Sequence, residues 1–215
     1  MSNKKTVAIV GAGLVGLTLS IALAMRTEYR ILLLENKKSL AREDQRSLVL
    51  SNISINFLNE LQIFERLPKN LSKIKHIHIS NHGLFGKMIL NSDEIGIPHF
   101  GKVIRMQTLL DLLIHKVETI DNIKVVTSSR IKDIHSSRDK YFLVFEDKSI
   151  LNTELIIAAD GSNSFMRSKI GITTSVHDYK QTVFAFNTKF SQKNKPSWAY
   201  ERFTGNGFVA MLPLE

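Results

Sequence analysis

The sequence of 215 residues contains no cysteine. This absence excludes disulfide frameworks, thiolate metal sites, iron–sulfur clusters and cysteine nucleophiles. It leaves two settings open, a reducing compartment or a thiol-free extracellular protein. Internal repeats and low-complexity tracts are absent too, and 43% hydrophobic with 23% charged residues is an ordinary globular composition. The sequence therefore predicts a folded chain with its own hydrophobic core.

Acidic residues are fewer than basic ones, 20 against 29, so the formal net charge is +9. The lysines are spread from Lys4 to Lys195 in short clusters. Nucleic-acid-binding proteins instead concentrate basic charge on one face, interleaved with exposed aromatic side chains. We therefore expect a solvated basic surface and no nucleic-acid partner. Attraction to anionic lipid headgroups or to acidic partners stays open.

One uncharged run, Thr6–Met25, is flanked on both sides by basic residues. Its length and flanks are also those of a transmembrane helix or a secretory signal. However, the run contains Gly11, Gly13 and Gly16, and its apolar pattern changes at the glycines from that of a buried strand to that of a helix. We therefore predict a strand, a glycine-rich turn and a helix, and no transmembrane segment.

A second apolar strand, Ile31–Leu34, ends at Glu35. Glycines at G-x-G-x-x-G spacing between a strand and a helix, with an acidic residue at the tip of the next strand, form the fingerprint of a dinucleotide-binding fold. Gly11 permits the tight turn, Gly13 lets a pyrophosphate approach the backbone, and Gly16 lets helix and strand pack closely. The helix N-terminus offers N–H groups to the phosphates, and Glu35 accepts hydrogen bonds from a ribose.

The rest of the sequence predicts a mixture of helices and strands. We expect a helix beginning at Arg46 and reaching Leu61, a half-buried strand over 74–79 that pairs with 87–90, and a loop over 95–100. Further expected elements are a helix over 106–119 and strands over 123–126, 141–145, 155–159, 183–190, 198–203 and 208–212. The strand at 155–159 is continuously apolar, which predicts burial on both faces in a parallel sheet.

A metal site is not predicted. His76 and His78 share one face of an expected strand, which by itself invites a metal interpretation. The sequence offers no third ligand at a plausible spacing, so half-exposed sheet histidines are the preferred interpretation.

Four stretches of the sequence carry a more specific resemblance. They are Gly11 through Glu35, Asp44-Gln45-Arg46-Ser47-Leu48, the D-G-x-x-S-x-x-R pattern from Asp160 to Arg167, and Tyr200 to Leu214. Together they resemble the FAD-dependent aromatic hydroxylases, or class A flavoprotein monooxygenases, in the ubiquinone-biosynthesis branch typified by 2-octaprenyl-6-methoxyphenol hydroxylase. The first stretch is shared with many flavoproteins, and the last is the one most similar to the quinone hydroxylases.

The resemblance implies an α/β fold in which two regions are interleaved. One is a Rossmann-like FAD-binding domain of the glutathione-reductase type, expected over 1–72 and 101–175. The other is a partial β-sheet substrate domain, expected over 73–100 and 176–215. The family also has a G-D-A-x-H-like motif whose aspartate holds the flavin ribityl chain, and no such motif occurs in this sequence. We therefore expect a fold that is incomplete at the C-terminus.

The resemblance also implies roles for individual residues. The three glycines of the turn would hold the FAD pyrophosphate, and Glu35 would hold the adenosine ribose. Arg46 would lie on the flavin side of the cofactor and balance its phosphate charge. Asp160 and Gly161 would close the FAD site, in a motif that the family also associates with the nicotinamide cofactor. Within that motif Arg167 would support the loop and Ser164 would cap the following helix.

The implied chemistry uses FAD, NAD(P)H as co-substrate and O2, and needs no catalytic side chain. The protein holds a polyprenylated phenol against the flavin and excludes water. Aromatic candidates to line the substrate cavity are Phe184, Phe186, Trp198, Phe203 and Phe208, with packing in the sheet core as the alternative. We expect a cytoplasmic protein in peripheral contact with a membrane and with other quinone-biosynthesis proteins.

Three functional interpretations stay open. The preferred one is the N-terminal portion of a phenol hydroxylase of ubiquinone biosynthesis, and the Tyr200–Leu214 stretch favours it. The second is an FAD-dependent reductase or halogenase of the same fold. The third is a truncated, inactive remnant or an FAD-binding module without turnover. A gene fragment, a truncated product and a chain completed by another polypeptide are all compatible with the missing motif.

Overall fold

A computed structural model describes residues 4–41, 43–189 and 196–214 of the chain. Its helices are α1 (Leu14–Arg26), α2 (Asn52–Glu60), α3 (Met106–Glu118) and α4 (Phe165–Lys169), with 3-10 turns at Phe64–Arg66 and Asp93–Ile95. Its strands are β1 (Thr6–Val10), β2 (Arg30–Leu34), β3 (Ser47–Leu50), β4 (Lys73–Ile74), β5 (His76–Asn81), β6 (Lys87–Asn91), β7 (Gly101–Arg105), β8 (Ile123–Val126), β9 (Ile131–Ser137), β10 (Lys140–Phe145), β11 (Ile150–Thr153), β12 (Leu155–Ala158), β13 (Trp198–Thr204) and β14 (Gly207–Met211).

The chain divides into two compact units. Unit 1 contains residues 1–43 and 110–183, and unit 2 contains residues 44–109 and 184–215. These boundaries differ from the expected ones at 72 and 101, because β3 and β4 both pair with β7 in one sheet. That pairing places residues 44–72 and 101–109 in unit 2. The later boundary falls at 183 rather than at 175.

Unit 1 is built on a four-stranded parallel sheet in the order β12-β1-β2-β8. Its strands are rich in valine, isoleucine and leucine, which suits a sheet covered on both faces. Because side chains alternate along a strand, Val7 and Ile9 lie on one face and Ala8 on the other. Helix α1 packs on β1 and β2 and buries Leu17 and Ile21 completely.

The second face of the parallel sheet is covered by the antiparallel meander β9–β10–β11 and by α4. Ala8, Leu32 and Leu34 from the sheet form one buried cluster with Leu143 of β10 and Met166 of α4. Helix α1 covers one face of the sheet, and the meander with α4 covers the other. The loops at the carboxyl ends of β1 and β2 therefore lie between two packed layers.

Unit 2 contains two sheets. The larger has the order β14-β13-β5-β6, in which β13 runs parallel to β5 and the outer pairs are antiparallel. The smaller is the antiparallel sheet β3-β7-β4. Ile74, Val103 and Ala199 form one buried cluster that draws on both sheets, with Phe100 and Leu214 packed against them.

Several predicted elements are confirmed. The uncharged N-terminal run divides into β1 and α1 around the glycines, as predicted. The helix expected over 106–119 is α3, and the hairpin expected from 74–79 and 87–90 is β5–β6. The strands expected over 123–126, 198–203 and 208–212 are β8, β13 and β14. No helix among the described residues has the length and apolarity needed to cross a membrane.

Other predictions about elements were wrong. The single helix expected from Arg46 to Leu61 is instead β3 followed by α2, because the Ser51 side chain accepts a hydrogen bond from the Ser54 N–H and begins the helix there. The strand expected over 183–190 is not formed by residues 183–189, and Phe190 lies outside the described residues.

The strand β12 was expected to be buried on both faces, and this prediction was wrong. It is an edge of the parallel sheet within the described chain, and Leu155 is 46% exposed. Three strands, β7, β9 and β11, were not predicted. A loop was expected over 95–100, directly before β7, and β9 carries polar residues on its exposed side.

The parallel sheet should carry the stability of unit 1. We expect Ile31→Ala to lower the free energy of unfolding by about 2–5 kcal/mol, since Ile31 is fully buried and its truncation leaves a cavity. Ile53→Ala is the matched control, because Ile53 is 83% exposed on α2 and its loss should change the free energy by less than about 0.5 kcal/mol. Urea denaturation measures both, and equal effects would contradict this packing.

Candidate functional site

The predicted glycine turn lies at the carboxyl end of β1, between β2 and β12. Gly11 adopts a φ of +100°, and its N–H donates to the Leu34 carbonyl at 2.8 Å. A Cβ at this position would lie 2.4 Å from the carbonyl oxygen of Ala159. Both the left-handed conformation and this close approach require glycine. The residue thus brings the ends of β2 and β12 to the same turn.

The next two glycines of the pattern differ in their surroundings. A Cβ on Gly16 would lie 1.8 Å from the Gly11 carbonyl oxygen, so α1 packs directly on the turn. A Cβ on Gly13 would have no heavy atom of the described chain within 4 Å. Packing of the fold therefore explains Gly11 and Gly16. The open space at Gly13 is what close approach of a ligand to the backbone would require.

Helix α1 begins at this open position. Gly13 is its N-cap residue with extended backbone, and within the described chain no side-chain hydrogen bond caps the helix there. The first N–H groups of a helix have no partner within the helix, and the helix dipole adds positive potential at the same end. Helix α1 has no acidic residue in its first turn that would neutralise that potential. The turn therefore offers hydrogen-bond donors and positive potential to an anion.

Glu35 lies at the end of β2 and is almost fully buried, with 5% exposure. One carboxylate oxygen accepts the N–H of Ala12 at 3.1 Å, and the other accepts the N–H of Lys37 at 3.1 Å. The carboxylate therefore fastens the glycine turn to the end of the neighbouring strand. A carboxylate oxygen can accept more than one hydrogen bond, so a ribose hydroxyl remains a chemically suitable further donor.

Asp160 and Gly161 form the loop after β12. The Asp160 carboxylate accepts the Ser164 hydroxyl at 2.5 Å and the Met166 N–H at 3.0 Å. Gly161 has a φ of +92°, a conformation that favours glycine. Asp160 thus holds the shape of its own loop and the start of α4.

The remaining residues of this motif complete the same loop. The Ser164 side chain accepts the Arg167 N–H at 3.0 Å, so it caps α4 as predicted. An Arg167 guanidinium N–H donates to the Ser162 carbonyl at 2.7 Å, which is the supporting contact expected of that side chain. The D-G-x-x-S-x-x-R pattern is therefore a closed hydrogen-bond network that fixes the loop beside Gly11.

A cavity of about 580 Å³ joins these elements within unit 1. Of the predicted site residues, it is lined by Gly11, Gly13, Glu35, Asp160 and Gly161. Gly16 is not among the lining residues, which agrees with its packing role. The sequence pattern thus gathers residues from three chain segments around one opening.

Sequence reasoning missed the other wall of the cavity. Lys37 and Glu146 line it, as do the residues at the start of β9 from Ser129 to Ile131. The Glu35 carbonyl accepts the Ser129 N–H at 2.8 Å, which ties this wall to the end of β2. Ile131 and Ile134 are three residues apart, which does not follow the two-residue alternation of a strand, so no clear sequence signal pointed to β9.

Arg46 is placed differently from the other predicted residues because it belongs to unit 2. Its guanidinium forms two hydrogen bonds to the Asp44 carboxylate, at 2.9 Å and 2.6 Å, and is largely exposed. These bonds lower the pKa of the Asp44 carboxyl and raise the pKa of Arg46. The contact of Arg46 with a flavin stays a prediction.

The aromatic candidates for a substrate cavity all lie in unit 2. Phe184 and Phe186 are 85% and 80% exposed, so the alternative of packing in the sheet core does not describe them.

Trp198 stacks on His76 with ring centroids 4.6 Å apart, in a register pair of β13 and β5. The two strand histidines thus contact aromatic rings, and no group of three potential ligands able to hold a metal is found among the described residues.

The residues of the cavity fit a dinucleotide such as FAD. The open backbone at Gly13 and the uncapped end of α1 suit a diphosphate, and the buried Glu35 suits a ribose diol. Asp160 is already engaged by its own loop, so its main effect on a ligand is to position the backbone at Gly161.

Gly13→Val tests the diphosphate position. We expect the variant to fold normally, because nothing in the described chain lies within 4 Å of the added Cβ, yet to lower FAD affinity at least about a hundredfold. Gly205→Val is the matched control, since Gly205 has equally open surroundings in unit 2 and should leave affinity unchanged. Flavin fluorescence titration and thermal unfolding measure the two effects. Unchanged affinity in Gly13→Val would refute the assignment.

Asp160→Ala tests the loop. Loss of the two hydrogen bonds should destabilise unit 1 by about 1–3 kcal/mol and weaken FAD binding less than Gly13→Val does. Asp147→Ala is the control, because Asp147 accepts the same two kinds of hydrogen bond from Ser149 in an exposed turn. A larger effect of Asp160→Ala than of Gly13→Val on affinity would show that the carboxylate itself carries the binding.

Comparison with known proteins gives relatives along the whole chain. A ubiquinone hydroxylase, UbiM, of Neisseria meningitidis is 25% identical over 233 residues, covering 100% of this chain and 48% of that protein. The 3-demethoxyubiquinol 3-hydroxylase of Escherichia coli is 22% identical over 220 residues, covering 100% of this chain and 56% of that protein. The chain therefore spans about half the length of these curated relatives.

A solved structure shows the same fold. The crystal structure of p-nitrophenol 4-monooxygenase PnpA from Pseudomonas putida superposes with a TM-score of 0.66 at 16% identity, covering 80% of this chain and 44% of that one. The FAD_binding_3 family, described as FAD binding domain, matches residues 4–215. The chain therefore belongs to the FAD_binding_3 family of FAD binding domains.

Proposed function

We propose that this chain is the dinucleotide-binding portion of an FAD- and NAD(P)H-dependent monooxygenase that hydroxylates a polyprenylated phenol in ubiquinone biosynthesis. The observation that carries the proposal is the turn at Gly13, open to a ligand and fastened by Glu35 at the mouth of one cavity. The names of the two curated relatives, both hydroxylases of ubiquinone or its precursor, support the substrate class.

The proposed reaction balances as one oxygen insertion. One atom of O2 enters the phenol ring in place of hydrogen, and the other leaves as water. NAD(P)H supplies the two electrons, and a proton from solvent completes the water. When bound, FAD supplies the redox chemistry that links these half-reactions.

The described residues contribute binding and positioning rather than acid–base chemistry. The α1 N-terminus and the backbone at Gly13 would receive the cofactor diphosphate, and Glu35 would receive the adenosine ribose. Asp160, Ser164 and Arg167 would keep the Gly161 backbone in position beside them. The family resemblance assigns Arg46 a role in balancing the charge of the cofactor phosphates, and in the described chain its guanidinium pairs with Asp44.

The proposed setting follows from the substrate class. A polyprenylated phenol resides in a membrane, so the proposed enzyme works from the cytoplasmic side in peripheral contact with lipid. Other quinone-biosynthesis proteins are proposed partners because they produce and consume the same membrane-bound rings. The preference for NADH or NADPH is left to measurement.

The proposal is tested by isotope transfer. The purified chain is reconstituted with FAD and supplied with NADH or NADPH, a short-chain prenyl methoxyphenol and ¹⁸O2. The expected product carries one ¹⁸O atom per added hydroxyl group, in an amount matching the nicotinamide oxidised. Nicotinamide oxidation that yields only hydrogen peroxide, with no labelled phenol, would contradict the hydroxylase function.

Flavin retention separates the proposal from its alternatives. A chain that binds FAD but neither oxidises nicotinamide nor labels the phenol is an FAD-binding module. If the product carries no ¹⁸O but a double bond of the substrate has been reduced, the chain is part of a reductase. If halide is incorporated into the substrate, the chain is part of a halogenase. Failure to bind FAD at all would identify an inactive remnant.

A further inference from the structure

The hairpin β5–β6 ends in an apolar apex, defined here as residues His82–Gly86. Leu84 is 67% exposed and Phe85 is 110% exposed, so the phenyl ring stands clear of the chain. Gly83 and Gly86 flank them with φ values of +79° and +104°. Such conformations favour glycine, and they turn the chain sharply so that both apolar side chains occupy the tip.

The apex is fastened to its own sheet. The last register pair of the hairpin is Ser80 with Lys87, and the His82 N–H donates to the Phe203 carbonyl at 2.9 Å. These bonds continue the parallel pairing of β5 with β13 beyond Asn81. The apex is therefore an extension of a four-stranded sheet, which holds its position in unit 2.

More apolar surface lies at the same end of the sheet. The turn between β13 and β14 is there too, because β13 runs parallel to β5. Phe203 and Phe208 pair across this turn with ring centroids 6.3 Å apart, and both are about half exposed, at 42% and 53%. Two neighbouring turns thus place four apolar side chains at one end of unit 2.

Basic residues outnumber acidic ones around the apex. From His76 to Asn91 the sequence has no acidic residue, and its single lysine, Lys87, directly follows the apex. The adjacent strand β13 adds Arg202 and Glu201, which project to opposite faces. An apolar tip next to a basic residue is complementary to an anionic lipid surface. The cation contacts the lipid headgroups, and the apolar side chains enter the boundary between headgroups and acyl chains.

We propose that the β5–β6 apex is a membrane-docking element that inserts Leu84 and Phe85 into the surface of an anionic bilayer. The convex shape favours lipid over a protein partner, because a two-residue tip presents far less area than the roughly 800 Å² per partner of a stable protein interface. This inference rests on the proposed function, because a polyprenylated phenol is dissolved in the bilayer. The docking element would bring unit 2 to that bilayer.

The binding itself is measured without turnover. The FAD-loaded chain is mixed with vesicles of phosphatidylcholine containing phosphatidylglycerol, and with vesicles of phosphatidylcholine alone, and bound protein is separated by flotation. We expect binding to the anionic vesicles that weakens with salt. The double variant Leu84→Ser/Phe85→Ser should partition at least about tenfold less, and Lys87→Gln about fivefold less.

A matched control and a local probe complete the test. Ile53→Ser removes an equally exposed apolar side chain from α2 and should bind like the unmodified protein. Phe85→Trp should show tryptophan quenching by brominated lipid beyond that of the native Trp198. Equal binding of the double variant, or no quenching of Phe85→Trp, would overturn the proposal. The proposal would also be overturned if the double variant lost self-association but kept vesicle binding. That result would make the apex a contact between copies of the chain.

The outcome is independent of the proposed function. The double variant should still retain FAD and oxidise nicotinamide with a water-soluble phenol, since none of its substitutions lies in unit 1. Vesicle binding without labelled product would retain the docking element and reject the hydroxylase. Labelled product without vesicle binding would reject the docking element alone.

Discussion

The structure of unit 1 depends on the direct contact of three stretches of backbone. A Cβ on Gly11 would overlap the carbonyl oxygen of Ala159, and a Cβ on Gly16 would overlap the carbonyl oxygen of Gly11. Any side chain at either position would force the strand ends and the helix apart. Because the contact is made of main chain, it brings the start of α1 and the ends of β1, β2 and β12 together with little room for relaxation.

This contact determines how the charged groups of the site are used. The Glu35 carboxylate holds the Ala12 N–H, and the Asp160 carboxylate holds the Met166 N–H. Both acids are thereby engaged in shaping loops, and the anion-binding potential of the α1 N-terminus is preserved at the open Gly13 position. The arrangement would allow the proposed site for a negatively charged dinucleotide to contain two carboxylates.

Much of this arrangement could be predicted from the sequence because it is local. The spacing of Gly11, Gly13 and Gly16 between a strand and a helix has few structural solutions, and Ser164 is a residue type that begins a helix by accepting a backbone N–H. Pairings between distant segments were less accessible. The antiparallel partner of β3 is β7, more than fifty residues later, and Leu50 also fits the helical spacing of Ile53 and Phe57 that follow it. Residues 47–50 therefore form a strand where a helix was expected.

The cavity wall at Ser129–Ile131 was missed for a related reason. Strand β9 has only a weak apolar pattern, and its position beside Glu35 follows from a long-range backbone hydrogen bond at Ser129. The second carboxylate contact of Glu35, to the N–H of Lys37, is equally invisible to a motif. Sequence patterns thus identified several of the residues that line the cavity. The hydrogen bonds that hold these residues in place could be seen only in the folded chain.

The central claim is that a dinucleotide diphosphate binds at the backbone of the glycine turn. The most direct measurement is the change in amide ¹H–¹⁵N chemical shifts of the labelled chain as FAD is added. The account predicts that the largest saturable changes are at the Gly13 and Leu14 amides, with smaller ones at Glu35 and Gly161. Saturable binding that leaves the amides of this turn unshifted would contradict it.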